Sequence, residues 1–291
     1  RTYPMDAAIL QALEKIRCPF LDVFFSVFTA LGEEFVIAAI IAVVYICFSK
    51  RIGEQALVTV MTASCVTTGI KSAVRRLRPF VNGTVDKVNV DNIVVSTADL
   101  DPDMSFPSGH ATATSSFFTT LAIRIRKPLA IALSALFVLL VMLSRLYLGV
   151  HYPTDVLTGL TIGVACAFLW NLIYAKWYNA RLYIYLAIAA LTIPLLFIER
   201  TATHSMFQIS AITLATAAGL LIEDKFIRFE DTKSWLHRLF RLIVIGVVAL
   251  IPFVPMQFLL PDNNWFDFLK YFVTLFLAMT AAPYLFVKLK I

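Results

Sequence analysis

Long apolar runs alternate with short polar clusters along the whole chain, and the runs set its class. Nine of them, near residues 33–49, 56–74, 108–124, 128–146, 155–176, 182–198, 206–222, 239–259 and 266–287, come close to or reach the roughly 20 residues a helix needs to cross a bilayer. A membrane barrel would instead alternate with period two over short segments, and these runs are continuously apolar. The expected fold is therefore all-α, a polytopic membrane helix bundle with about nine transmembrane helices.

Ahead of the first run, Met5, Ala8, Ile9, Ala12, Leu13 and Ile16 share one helical face while Asp6, Gln11, Glu14 and Lys15 lie elsewhere, which predicts an interfacial helix over residues 1–16. This stretch lacks the basic start and apolar core of a secretory signal. The chain opens on Arg1 rather than Met, which leaves room for an upstream piece. Residues 18–31, CPFLDVFFSVFTAL, are apolar but short and carry Asp22, so they are expected to be re-entrant or to lie at the surface.

Composition agrees with the pattern: 59% of the 291 residues are hydrophobic and 15% charged, with a mean hydropathy of +0.80. The net charge of +6 does not call for nucleic acid, because the basic residues fall mostly in alternate loops: Lys50 and Arg51; Arg124, Arg126 and Lys127; Lys176 and Arg181; Lys225, Arg228, Lys233, Arg238 and Arg241; Lys288 and Lys290. By the positive-inside rule those loops face the cytoplasm. The opposite loops are poorer in Lys and Arg, except at Lys71 to Arg78 and at Arg145. Cys18, Cys47, Cys65 and Cys166 have no metal-type spacing and read as packing residues.

Three polar clusters interrupt the apolar pattern. In KSAVRRLRP, Lys71, Arg75 and Arg78 would share a face if the helix continued to Pro79, while Arg76 reads as a snorkelling residue. A long loop, 80–106, follows with Asp86, Asp91, Asp99, Asp101 and Asp103, which matches no calcium-loop pattern and reads as solvated. Then Phe106-Pro107-Ser108-Gly109-His110 opens the third run as a helix N-terminus, whose free amides and dipole attract an anion. The third cluster is SRLYLGVHYPTD, Ser144 to Asp155, where Pro153 starts the fifth run. That start leaves His151 in the preceding turn and puts Asp155 in the first helical turn, within reach of the imidazole. The span order delivers all three clusters to the same, outer side.

Lys71, Arg78 and Arg145, together with a helix N-terminus and the Ser108 hydroxyl, describe a pocket for a multiply charged oxyanion such as phosphate. A histidine oriented by a carboxylate can present its other nitrogen to phosphorus, and a second histidine can protonate the leaving oxygen. His151, with Asp155, takes the first role and His110 the second. Only His204 and His237 remain outside the clusters, too few for a zinc-type site, so no metal and no other cofactor is expected.

These residues resemble the three signature motifs of the type 2 phosphatidic acid phosphatase (PAP2) superfamily: Lys71-x6-Arg78-Pro79, Pro107-Ser108-Gly109-His110 and Ser144-Arg145-x5-His151-x3-Asp155. The resemblance implies a PAP2-like catalytic core over residues 33–176, preceded by an N-terminal segment, 1–32, and followed by additional spans, 177–291, that carry no recognised motif. It further implies a phosphohistidine on His151 held by Asp155, and a proton given to the leaving group by His110, which then activates water. Lys71, Arg78, Ser108, the Gly109 amide and Arg145 would hold the phosphoryl oxygens without a metal. The implied activity is hydrolysis of a lipid phosphate or pyrophosphate, in the cell membrane and on its extracytoplasmic face. Transfer of the phosphoryl group to a lipid or sugar acceptor, hydrolysis of a sugar phosphate, and non-enzymatic lipid transport stand as alternatives. Membrane lipids are the expected partners, with dimerisation through the last spans left open.

Overall fold

A computed structural model describes residues 4–88 and 104–291. Of the acidic loop residues, Asp91, Asp99, Asp101 and Asp103 lie outside the described residues. Among the described residues there is no strand, and the chain runs through α1 (Pro4–Glu14), α2 (Pro19–Leu31), α3 (Glu34–Val43), α4 (Lys50–Val74), α5 (Gly109–Ile125), α6 (Pro128–Tyr147), α7 (Pro153–Lys176), α8 (Arg181–Ala190), α9 (His204–Ile222), α10 (Trp235–Leu259) and α11 (Asn264–Leu289). Among the described residues seven helical stretches are long and apolar enough to cross a membrane, and α2 with the helix that starts at α3, bent by 51° at their break, forms a broken span or a re-entrant loop. The protein is a multi-pass membrane protein.

The span count is close to the nine expected; α5, with 17 residues, packs against α3, α4, α6 and α7. Its Thr112, Thr114, Ser115, Ser116 and Thr120 are buried, and each hydroxyl donates to a backbone carbonyl three or four residues earlier. Small side chains let α7 approach closely. A Cβ at Gly159 would stand 2.6 Å from the Ser108 carbonyl oxygen, and one at Gly163 would overlap Ser115 Oγ and lie 2.6 Å from the Thr112 carbonyl oxygen. This contact sets the start of α5 against the first turns of α7.

Two expectations near the N-terminus change. The face of α1 that turns inward carries Asp6 and Leu10, which are buried, whereas Met5 and Ile16 are 75% and 57% exposed. Further on, α4 ends at Val74 because Arg75 takes a left-handed conformation with φ of 51°. Arg78 therefore lies beyond the helix rather than on a shared face with Lys71, and the helix has stopped before Pro79.

Behind the site, the helices after residue 177 join the main core, where Trp170, Tyr185, Phe117 and Phe286 are fully buried. A buried ionic network fastens them: Arg181 Nε and the Tyr174 hydroxyl both donate to Glu54 Oε1 at 2.5 Å, and Arg181 Nη2 donates to Asp224 Oδ1 at 2.7 Å. Lys50 Nζ pairs with Glu223 at 2.6 Å. The stretch that follows α9 thus begins by folding inward, since burying Glu223 requires a cation beside it.

Candidate active site

A hydroxyl or carboxylate at the helix start marks both helices that open onto the site, and α7 also carries proline at its first position. Ser108 caps α5, its Oγ accepting from the Ala111 amide at 3.4 Å, which puts His110 in the first turn, 6% exposed. Pro153 begins α7, and Asp155 Oδ2 accepts from the Tyr152 amide at 2.8 Å. That bond turns the carboxylate toward the preceding loop, so His151 Nδ1 lies 3.6 Å from the same oxygen. His151 and Asp155 are both buried.

Backbone bonds tie the three clusters together. The Ser108 amide donates to the Asp155 carbonyl oxygen at 3.1 Å, and the Ser105 amide to that of Arg76 at 2.7 Å. Arg78, buried, donates from Nη1 to the Val150 carbonyl oxygen at 3.2 Å, just ahead of His151. Arg145 is buried at the end of α6 and donates from Nη1 to Thr29 Oγ1 at 2.6 Å. Lys71 stands half-buried in the last turn of α4, next to Ser72, whose hydroxyl lies 3.4 Å from Thr203 Oγ1 of the C-terminal half. Asp155, His151, Ser108 and Arg78 are thus linked through one strip of backbone, while His110 and Arg145 meet the corner between α2 and α3.

Several residues at the site were not anticipated. Arg76, expected to snorkel, instead donates from Nη1 to Asp155 Oδ1 at 2.8 Å and to Thr154 Oγ1 at 2.7 Å, and from Nη2 to Asp6 Oδ2 at 2.9 Å. Its guanidinium lies 3.9 Å from the centre of the Tyr152 ring. A buried Asp155 carries a large desolvation cost without a cation, and this is the cation. The signal in the sequence was Asp6 itself, an acid in a helix otherwise read as lying at the membrane surface. The second unanticipated contact is Glu33 Oε1, 3.3 Å from His110 Nε2, with Glu34 beside Gly109. Two consecutive carboxylates at the edge of an apolar run were the available sign.

Among the described residues no group of three His, Cys, Asp or Glu side chains forms a metal-binding set. What the arrangement offers is cationic side chains and helix-start amides around two histidines, each within reach of a carboxylate.

Known proteins resemble this chain in sequence. Residues 54–180 match the family model for the PAP2 superfamily, and residues 207–291 match the model for the PAP2 superfamily phosphatase transmembrane extension, in the stretch that carried no recognised motif. A decaprenylphosphoryl-5-phosphoribose phosphatase of Mycobacterium tuberculosis is 37% identical over 101 residues, 35% of this chain and 49% of the relative. An undecaprenyl-diphosphatase of Sulfolobus acidocaldarius is 33% identical over 124 residues, 42% of this chain and 54% of the relative. Phosphatidylglycerophosphatase B of Bacillus subtilis is 25% identical over 177 residues, 56% of this chain and 80% of the relative. The chain spans about half the length of the first two. With both family models matched in order along it, the chain belongs to the PAP2 superfamily and carries that superfamily's transmembrane extension.

Proposed function

We propose that the protein is a membrane phosphatase that hydrolyses a lipid phosphate or diphosphate at the outer face of the membrane through a phosphohistidine on His151. The observation that carries this reading is the buried chain His151, Asp155, Arg76, with His151 Nδ1 3.6 Å from Asp155 and Asp155 2.8 Å from Arg76. The carboxylate lies beside Nδ1 without closing a hydrogen bond to it, and an Nδ1–H directed at it leaves Nε2 with a lone pair, the form needed to attack phosphorus.

The reaction has two halves. In the first, His151 Nε2 forms a bond to phosphorus as the P–O bond to the lipid breaks, and His110 gives its proton to the departing oxygen. Lys71, Arg78, Arg145, the Ser108 hydroxyl and the Gly109 amide hold the phosphoryl oxygens and stabilise the charge that gathers on them. In the second half, His110 takes a proton from a water that attacks phosphorus, the N–P bond breaks, and inorganic phosphate leaves. The outer-face placement rests on the loops rich in Lys and Arg, which lie at the opposite ends of the same spans. The names of the relatives support a lipid substrate, and two of them name decaprenyl or undecaprenyl compounds.

The test is a panel of phosphatidic acid, phosphatidylglycerol phosphate, polyprenyl phosphate and diphosphate, and a soluble sugar phosphate, run on purified protein with and without chelator beside His151→Ala. Stoichiometric free phosphate from a lipid, chelator-insensitive and abolished in the variant, is the expected result. Equal turnover of the sugar phosphate would undermine the lipid assignment, and label passing to another lipid would replace hydrolysis with transfer.

A further inference from the structure

The corner between α2 and α3 reaches the site from a part of the chain that lies before the matched family region. Gly32 and Glu33 form the break at which the two helices bend by 51°. Gly32 has no room for a side chain, because a Cβ there would stand 2.7 Å from Val141 Cγ1 of α6. The corner is therefore held tightly against α6, the helix that ends in Arg145. From it Thr29 accepts the Arg145 bond at 2.6 Å, and Glu33 Oε1 comes to 3.3 Å from His110 Nε2. Glu34 Oε1 stands 2.8 Å from where a Gly109 Cβ would be. The Glu33 side chain is 26% exposed and that of His110 only 7%, so the contact lies at the mouth of the site with the imidazole on its inner side.

We infer that Glu33 is a positioning residue for His110, which holds the imidazole and its acidic proton in place between turnovers. This deepens the reading proposed above and rests on it. Glu33 Oε1 stands beside His110 Nε2 without closing a hydrogen bond to it, so the carboxylate holds the ring in place and leaves the Nε2–H free to turn. When substrate binds, the same hydrogen turns to the leaving oxygen: the Nε2–H bond breaks, an O–H bond forms, and the electron pair of the P–O bond goes to that oxygen. His110 then recovers a proton from the attacking water. Glu33 gains and loses no proton, so its whole effect passes through His110. The site then has two histidine and carboxylate pairs with separate duties, Asp155 serving the nucleophile and Glu33 serving the acid. A carboxylate is suited to the second duty because it can steady the imidazole without competing for phosphorus.

The test uses Glu33→Ala, Glu33→Asp, His110→Ala and the double variant Glu33→Ala/His110→Ala. Each is assayed on a lipid phosphate, whose alkoxide leaves poorly, and on p-nitrophenyl phosphate, whose phenolate leaves without help. The expected result is a fall in kcat of about 10- to 100-fold for Glu33→Ala on the lipid with little change in KM. On p-nitrophenyl phosphate the fall should be at most a few-fold. Glu33→Asp should recover part of the loss, and Glu33→Ala should cost nothing more once His110 is gone. An equal loss on both substrates, a loss that adds to that of His110→Ala, or unchanged kcat would each overturn the inference. Thermal unfolding of the same four combinations reads the contact without turnover, and coupled changes in Tm are expected. Additive changes in Tm would overturn the contact even if phosphatase activity is found. Coupled Tm changes in a protein that releases phosphate from no monoester would sink the phosphatase reading and leave the contact standing.

Discussion

Arg76 and Asp155 form a single-bonded ion pair between the loop after α4 and the first turn of α7: Nη1 donates to Oδ1 at 2.8 Å while Nη2 reaches back to Asp6 at 2.9 Å. One guanidinium thus joins α1 to the carboxylate beside His151. Only a planar, forked cation can bridge two carboxylates and stack on Tyr152 at once. Arg76→Lys should therefore behave much like Arg76→Ala. Each should lower kcat by about 10- to 100-fold, the range seen when groups that orient a functional histidine are removed. Each should also cost about 3 kcal/mol of stability, because the Asp155 charge stays buried without its partner. Kinetics and thermal unfolding on the two variants check this, and full activity in Arg76→Lys would show that charge alone suffices.

Asp6 shares that guanidinium with Asp155 and also accepts from Thr154 Oγ1 at 2.7 Å. Asp6→Asn keeps the shape and removes the charge, leaving Arg76 bound to Asp155. Its expected effect on kcat is smaller than that of Arg76→Ala, within about 10-fold. A loss as large as that of Arg76→Ala would mean that α1, rather than Arg76, holds the carboxylate in place.

Gly163 gives a stability prediction separate from chemistry. A side chain there meets Ser115 Oγ and the Thr112 carbonyl, the second of which is helix backbone and cannot move aside. Gly163→Ala should destabilise by about 1–3 kcal/mol, as overpacking does, and Gly163→Leu by more. Thermal unfolding in detergent measures it, and an unchanged Tm for Gly163→Leu would mean that α5 and α7 are not this close.

The ionic network around Glu54 fastens the C-terminal half to the core, so its loss should loosen the structure without touching the chemistry. Arg181→Met leaves Glu54 buried and uncompensated and should cost about 3 kcal/mol. Turnover per folded molecule should stay at the parent value. A selective loss of kcat in a protein of unchanged stability would overturn this division of labour.

The helix bundle was legible in the sequence because uninterrupted apolar runs leave a chain few alternatives, and the proline positions marked where α5, α6 and α7 begin. Residues whose role follows from local spacing were legible too: Ser108 as a cap, Pro153 as a helix start, Asp155 one turn from His151. Contacts that depend on a long-range approach were not. Arg76 meets Asp6 across 70 positions of sequence, and Glu33 meets His110 across a break between helices. The shared face of Lys71 and Arg78 failed for a local reason, the left-handed Arg75, a conformation that nothing in an arginine's preferences announces.

The central claim is the phosphohistidine on His151, and rapid quench with a substrate radiolabelled at phosphorus tests it most directly. The expected result is burst-phase labelling of the protein that survives alkali, is lost in acid, maps to the peptide containing His151, and is absent in His151→Ala. Free phosphate released with no labelled protein at any quench time, or a label on a different residue, would contradict it.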